Sequence, residues 1–317
     1  MFEARTDPQE VLDRWGLRLK ALRPDLPLAG SPERTRFRTA VEDGEERLWV
    51  LESPASESVP HKRRIADTLA LLCERGLQRL HPYRVGRSGE TVEQVGDAFW
   101  QLAPYAAGVA LPRPGYTHDR WRGEACAEFL LDLRERARDL PFSDRERPFS
   151  IVTFLRDLGG KIARREPELH RALGPVLAHL EERVAPAHDS IPAGFCHGDL
   201  HPLNVIWGTD RIVSVIDWEF LGYKAEIFDA ANLVGCVGME EPAALARGFV
   251  LGCLATLKRS GAFAPAGWAC LPAFVAATRF AWLSDWLRRG DREMVETEAA
   301  YIRLLMNYRQ DLADLWA

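Results

Sequence analysis

The segment FCHGDLHPLNVIWGTDRIVSVIDWEFLGYKAEIFD, residues 195–229, decides how the rest of the chain is read. His197, Asp199, His201 and Asn204 fall in a loop-like run that passes into the apolar triplet Val205-Ile206-Trp207. Gly208-Thr209-Asp210 is a turn signature, and a second apolar run over residues 212–216 delivers Asp217 at its far end. The pattern is loop, strand, turn, strand, carboxylate. A hairpin brings its open ends together, so Asp199 and Asn204 before the first strand are expected near Asp217 after the second.

An acid, an amide and a second acid in that order suit phosphoryl transfer, where a protein supplies positioning and charge neutralisation and little covalent chemistry. Asp199 would accept or orient the proton of an attacking hydroxyl. Asn204 and Asp217 offer hard oxygen donors to Mg2+, which takes few protein ligands and bridges nucleotide phosphates. Two other readings compete. Asp beside Gly and Pro often caps a turn, but the whole spaced set demands more than a turn does. His197, Asp199 and His201 are also of the types that bind zinc or iron, yet no third imidazole follows at a telling spacing.

The runs HGDLHPLN (197–204) and VIDWE (215–219) resemble the aminoglycoside phosphotransferase and choline kinase superfamily of kinase-like small-molecule phosphotransferases, which also includes type II homoserine kinases. The resemblance is closest over residues 195–229. It implies an α+β, bilobal, protein-kinase-like fold with a small antiparallel sheet in the N-lobe and a larger, mostly helical C-lobe. It also implies Asp199 as catalytic base, Asn204 and Asp217 as Mg2+ ligands, Asp229 as a carboxylate bracing the catalytic loop, and a structural His197. The implied cofactors are ATP, with GTP as the alternative, and Mg2+. The implied partner is a small-molecule hydroxyl acceptor: an aminoglycoside, amino alcohol, sugar or amino acid. The competing function is that of a nucleotide-binding pseudokinase with a regulatory or scaffolding role.

Chain length agrees with two lobes, since 317 residues exceed one average core. They are expected at 1–105, ending in the lobe connector, and at 106–317. In the first, residues 8–22 have helical spacing, with Val11, Leu12, Trp15, Leu19 and Leu22 on one face. Residues 35–41 and 47–51 read as strands across a Glu42-Asp43-Gly44 turn, and 83–85, 91–95 and 98–102 as further short strands. The loop at 30–35 stands where the family covers the phosphates, although it holds a single glycine. Gln101-Leu102-Ala103-Pro104-Tyr105 resembles the family's connector, which makes Gln101 and Ala103 nucleotide-binding candidates.

Glu52 breaks the pattern. It ends the second strand where the family usually places a phosphate-contacting Lys or Arg, and a carboxylate there would repel a triphosphate. Unit charges about 4 Å apart at an effective dielectric of 20 interact by roughly 4 kcal/mol, so an offset is required. The helix at 60–75 carries Lys62-Arg63-Arg64 in its first turn. An inverted ion pair is therefore expected, in which Glu52 holds Arg64, or its neighbour Arg63, and a guanidinium still faces the phosphates.

From residue 118 the periodicity is helical: 120–138, 150–165, 167–184, 230–236, 242–258, 268–289 and 291–315. Trp268, Phe280, Trp282, Trp286 and Tyr301 are candidates to line the acceptor pocket, where an aromatic cage could bind a cation. Asp285 and Asp291 are alternative sites for a substrate amine. The formal charge of −5 and pI near 6.0 provide no broad basic field, which disfavours nucleic acid and anionic membranes as partners. Pro265, Pro272 and Arg279 mark the most apolar stretch as a packed helix, and the acidic opening residues lack signal-peptide character, so a cytoplasmic protein is expected. Cys73, Cys126, Cys196, Cys236, Cys253 and Cys270 are scattered singly, as buried reduced thiols would be.

Overall fold

The computed structural model describes residues 7–30, 35–141 and 147–317. The fold is mixed α+β, with an antiparallel sheet in the N-terminal part and a mostly helical remainder. The chain divides into two compact units, Met1–Ala110 with Leu203–Glu219, and Leu111–Pro202 with Phe220–Ala317. The segment containing the diagnostic hairpin thus belongs to the first unit although it lies two-thirds of the way along the chain.

In the first unit, β1 (Leu19–Leu22), β2 (Thr35–Asp43), β3 (Leu48–Pro54), β4 (Val92–Val95) and β5 (Ala98–Pro104) form one antiparallel sheet in the order β1-β2-β3-β5-β4. Side chains alternate across it. Val41, Trp49, Leu51, Trp100 and Leu102 pack with Val11, Leu12 and Trp15 into a core on one face. Arg38, Glu52 and Gln101 stand opposite one another in register and so share the other face. Asp43 pins the β2–β3 turn: its carboxylate accepts from Glu45 N and Arg47 N, both at 2.9 Å, and from Trp49 Nε1 at 2.9 Å. Helix α2 (Val59–Glu74) buries Ile65, Leu69 and Leu72 at helical spacing. The diagnostic hairpin forms as read, with β7 (Val205–Trp207) antiparallel to β8 (Ile212–Val215) and Val205 opposite Val215.

The second unit comprises α3 (Arg120–Arg136), α4 (Ile151–Arg165), α5 (Pro167–Arg183), α6 (Ala185–His188), α7 (Phe228–Glu240), α8 (Gly248–Ser260), α9 (Pro265–Arg289), α10 (Arg292–Asn307) and α11 (Arg309–Trp316). The ribbon of β6 (Ala193–Cys196) against β9 (Gly222–Ala225) leads the chain into and out of the catalytic-loop region. By length and apolarity α9 could span a bilayer, but 61% of its apolar stretch is buried inside the unit. Arg279 in its middle forms a two-pronged pair with Glu298 of α10, Nε to Oε1 at 2.7 Å and Nη2 to Oε2 at 2.6 Å, both side chains being buried. The six cysteines are free thiols.

Several expected elements are corrected. The helix expected over 8–22 stops as α1 (Pro8–Asp13). Gly16 turns left-handed at φ 67°, and Leu19–Leu22 leaves the helical face to pair with β2, because ladder bonds at a sheet edge outweigh continuation of a short helix. Residues 83–85 are no strand, although Arg84 N donates to Leu102 O at 2.7 Å. The helix expected over 242–258 is broken at Arg247, whose backbone is extended, and that over 291–315 at Tyr308. Residues 31–34 of the expected phosphate loop lie outside the described residues.

Candidate functional site

The open end of the β7–β8 hairpin presents the two expected metal ligands. Asn204 closes a short helical turn, Pro202–Asn204, and its carbonyl accepts from Ile216 N at 2.9 Å, which sets Asn204 beside the residue preceding Asp217. Asn204 is almost wholly buried. Asp217 adopts φ 62°, a left-handed conformation that costs a non-glycine residue about 1–3 kcal/mol and is found where surrounding structure enforces it. Trp218 is part of that enforcement: its ring is buried, and Nε1 donates to Val215 O at 3.0 Å. The donor set at this end, an amide oxygen and a carboxylate, fits Mg2+ better than a softer metal. Among the described residues no three His, Cys, Asp or Glu side chains are grouped to hold a metal.

In the second unit the loop carrying Asp199 is clamped from below. Asp229, in the first turn of α7, accepts from His197 N at 2.7 Å and from Gly198 N at 2.8 Å, which is the bracing role the resemblance implied. Burial pushes its carboxyl above the usual range, while the two backbone bonds pull it down. Gly198 has φ 86°, and a Cβ there would lie 2.0 Å from Phe220 O, so the loop admits no side chain at this point. Asp199 N donates to His197 Nδ1 at 3.2 Å, which ties the His197 ring into the loop. His201 Nε2 approaches Asp199 Oδ2 at 3.8 Å. Burial, with a smaller contribution from the Arg279 charge, pushes the His201 pKa down to about 4, so at neutral pH this is a polar contact and no ion pair.

The first unit also holds a cluster of charges that the sequence reading assigned differently. Glu52 pairs with Arg38, Nε to Oε1 at 2.7 Å, and neither Arg64 nor Arg63 takes that place. The reason is register: Arg38 and Glu52 are directly opposed on β2 and β3, so the nearest cation comes from the neighbouring strand. Arg63 instead lies 3.5 Å from Glu90. The buried cation of α2 is Lys62, which pairs with Glu219, two residues beyond Asp217, while His61 Nε2 sits 2.8 Å from Glu219 O. Tyr83 lies among these groups. Its hydroxyl pKa is raised well above the ordinary value by burial first, then by the Glu52 and Glu219 charges, with Arg38 opposing and Asp217 adding to the rise. Sequence reading points to the basic turn that holds Lys62 but not to Arg38, Tyr83 or Glu219. Glu219 in VIDWE was the available signal.

Gln101 and Ala103 lie within β5, opposite Glu52 and Val50. The Gln101 amide is fully buried, and among the described residues neither Oε1 nor Nε2 has a hydrogen-bond partner, which is costly for a buried amide. β4 pairs with β5 only as far as Gln101; beyond it Leu102 O accepts from Arg84 N at 2.7 Å, and Ala103 stands opposite Val50 of β3.

Of the five aromatic residues expected to line an acceptor pocket, Phe280 and Tyr301 are core, and Tyr301 Oη donates to Gly235 O at 3.0 Å. Trp268 packs on Phe263. Trp282 meets His201 edge-on, with ring centres 5.4 Å apart, donates from Nε1 to Asn232 at 3.3 Å, and packs on Trp286. Of the five, Trp282 thus meets the loop carrying Asp199 through His201, and Trp286 packs on Trp282. Asp285 is engaged by Arg288 and Arg289, and Asp291 caps α10.

Among curated proteins, the chain is 29% identical over 208 residues to the homoserine kinase of Rhodopseudomonas palustris (strain HaA2), covering 64% of this chain and 60% of that protein. It spans roughly half to three-fifths of the length of the curated relatives it matches. Among solved structures, an aminoglycoside phosphotransferase from Alicyclobacillus acidocaldarius subsp. acidocaldarius is similar with a TM-score of 0.67 at 16% identity, over 99% of this chain and 96% of that one. An amicoumacin kinase in complex with AMP-PNP, Ca2+ and Ami has the same TM-score and identity, over 98% and 94%. These likenesses carry the kinase-like fold. Residues 27–269 match the Phosphotransferase enzyme family as a whole, and the chain belongs to that family.

Proposed function

We propose that the protein transfers the terminal phosphoryl group of ATP to a hydroxyl of a small molecule in a Mg2+-dependent reaction. The observation that carries this reading is the hairpin end, where Ile216 N bonds Asn204 O and Asp217 is held left-handed beside it. Such a pair of oxygen donors serves a hard cation, which would neutralise charge between the nucleotide phosphates. Asp199, on the loop clamped by Asp229, accepts the proton of the attacking hydroxyl. The sheet face bearing Glu52 receives the nucleotide, and the connector at residues 101–105 receives the base.

The acceptor lies toward His201, Trp282 and Trp286, with His201 neutral. The homoserine kinases among the relatives make a small hydroxy amino acid the first acceptor class to test, ahead of amino alcohols, sugars and aminoglycosides. ATP and GTP hydrolysis and product phosphorylation, measured with and without Mg2+ across such a panel, test the proposal. Nucleotide binding without transfer to any acceptor would favour the pseudokinase, for which the acidic Glu52 is the motive.

A further inference from the structure

Glu52 occupies the strand position at which a phosphate-gripping cation was expected, and its ion-pair partner is Arg38. The pair consumes one edge of the guanidinium, with Nε facing Glu52. The other end points elsewhere. Arg38 Nη1 and Nη2 lie 3.5 and 3.8 Å from the point where a Cβ on Gly30 would stand. Gly30 has φ 92°. Ile216 Cδ1, from the residue before Asp217, is 3.4 Å from the same point. The guanidinium fork, Gly30 and the end of the β7–β8 hairpin thus converge on one spot in the first unit.

Both members of the pair are largely buried, at 17% and 12% side-chain exposure. A charged pair in that setting is weak evidence for stability, since desolvation offsets most of its attraction. It bears on orientation, because with Nε against the Glu52 carboxylate the two Nη nitrogens of the planar fork lie on the side of Gly30.

We infer that Arg38 is the residue that grips the nucleotide phosphates in this protein, and that Glu52 is the positioning residue that aims it. The carboxylate stands on β3, and the cation comes from the neighbouring strand β2. This inference rests on the nucleotide-binding reading above and names the cation that reading lacked.

Titration calorimetry of the full chain with ATP and with adenosine, at fixed Mg2+, tests it. Arg38→Met should weaken ATP binding about 10- to 100-fold, the effect of losing hydrogen bonds to a charged group, and leave adenosine binding unchanged. Glu52→Gln, which keeps the cation but loosens its aim, should produce a smaller loss for ATP alone. The exchange Arg38→Glu with Glu52→Arg should recover part of the ATP affinity of Arg38→Met. Should Arg38→Met fail to fold by thermal unfolding, Arg38→Lys keeps the charge without the fork and should still lose ATP affinity selectively. Unchanged ATP affinity in a folded Arg38 variant, or equal losses for ATP and adenosine, would overturn the inference while leaving the kinase reading intact. Failure of the parent protein to bind ATP at all would overturn that reading itself.

Discussion

Asp229→Asn isolates the clamp under the catalytic loop. The substitution keeps side-chain shape but replaces one acceptor oxygen with an NH2 group. Two backbone donors, His197 N at 2.7 Å and Gly198 N at 2.8 Å, then face one acceptor and one donor. A hydrogen bond to a charged group contributes about 1.5–3 kcal/mol, and a stranded buried N–H costs about 1–3 kcal/mol. Part of this is recovered, because the neutral amide escapes the burial penalty that raises the Asp229 pKa. A net loss of about 2 kcal/mol follows, equivalent to a fall in Tm on the order of 4 °C for a chain of this size class. The functional effect should exceed the thermal one. Asp199 is two residues from His197 and bonds its ring, so a loosened loop misplaces the base, and misplacement near 1 Å costs roughly a hundredfold in rate. Steady-state kinetics and thermal unfolding on the same preparation read both, with ATP affinity expected to stay at the parental value. Parental Tm and parental kcat together would show that the clamp carries no energy; a lower Tm with full kcat would disconnect it from Asp199.

Asp199→Asn should lower kcat by roughly a hundredfold or more, the contribution of a general base, with ATP binding retained by calorimetry; equal turnover would remove Asp199 from the chemistry. Asp217→Ala should abolish the Mg2+-dependent part of ATP affinity, and an unchanged Mg2+ dependence would refute its role as a ligand. Glu298→Leu should strand the Arg279 guanidinium inside the second unit and cost about 3–5 kcal/mol in denaturant unfolding. His201 makes stability depend on pH. Its folded pKa of about 4 lies below the ordinary 6.5, so the unfolded chain takes up the proton first as pH falls. The contribution is complete above 6.5 and is lost between 6.5 and 4, up to about 3 kcal/mol, so His201→Gln should flatten the Tm–pH curve in that window.

The diagnostic hairpin could be read from sequence because its information is local. Two short apolar runs flank a Gly-Thr-Asp turn, so residues 205–207 pair with 212–215, and Asn204 and Asp217 follow at the open end. The spans of α2, α3, α4 and α5 were legible for the same reason, since an apolar stripe at helical spacing needs no knowledge of its partner. Residues 8–22 show where this stops. Leu19 and Leu22 continue a helical stripe on paper, yet the strand pairing they make is with β2, whose position no local window contains.

The partner of Glu52 was decided by tertiary structure alone. On sequence, the cations of the helix at 60–75 stand as its partners, Arg64 first and Arg63 beside it. Strand register selects Arg38, and the path of the chain after β8 brings Glu219 to Lys62. Trp282 and Trp286 parted from Phe280 and Tyr301 in the same way, because helical spacing names a face but not what stands against it. Residue type and spacing determine which chemistry a chain can perform. Which charges meet depends on long-range register, because an ion pair acts over a few ångströms that only the folded chain defines.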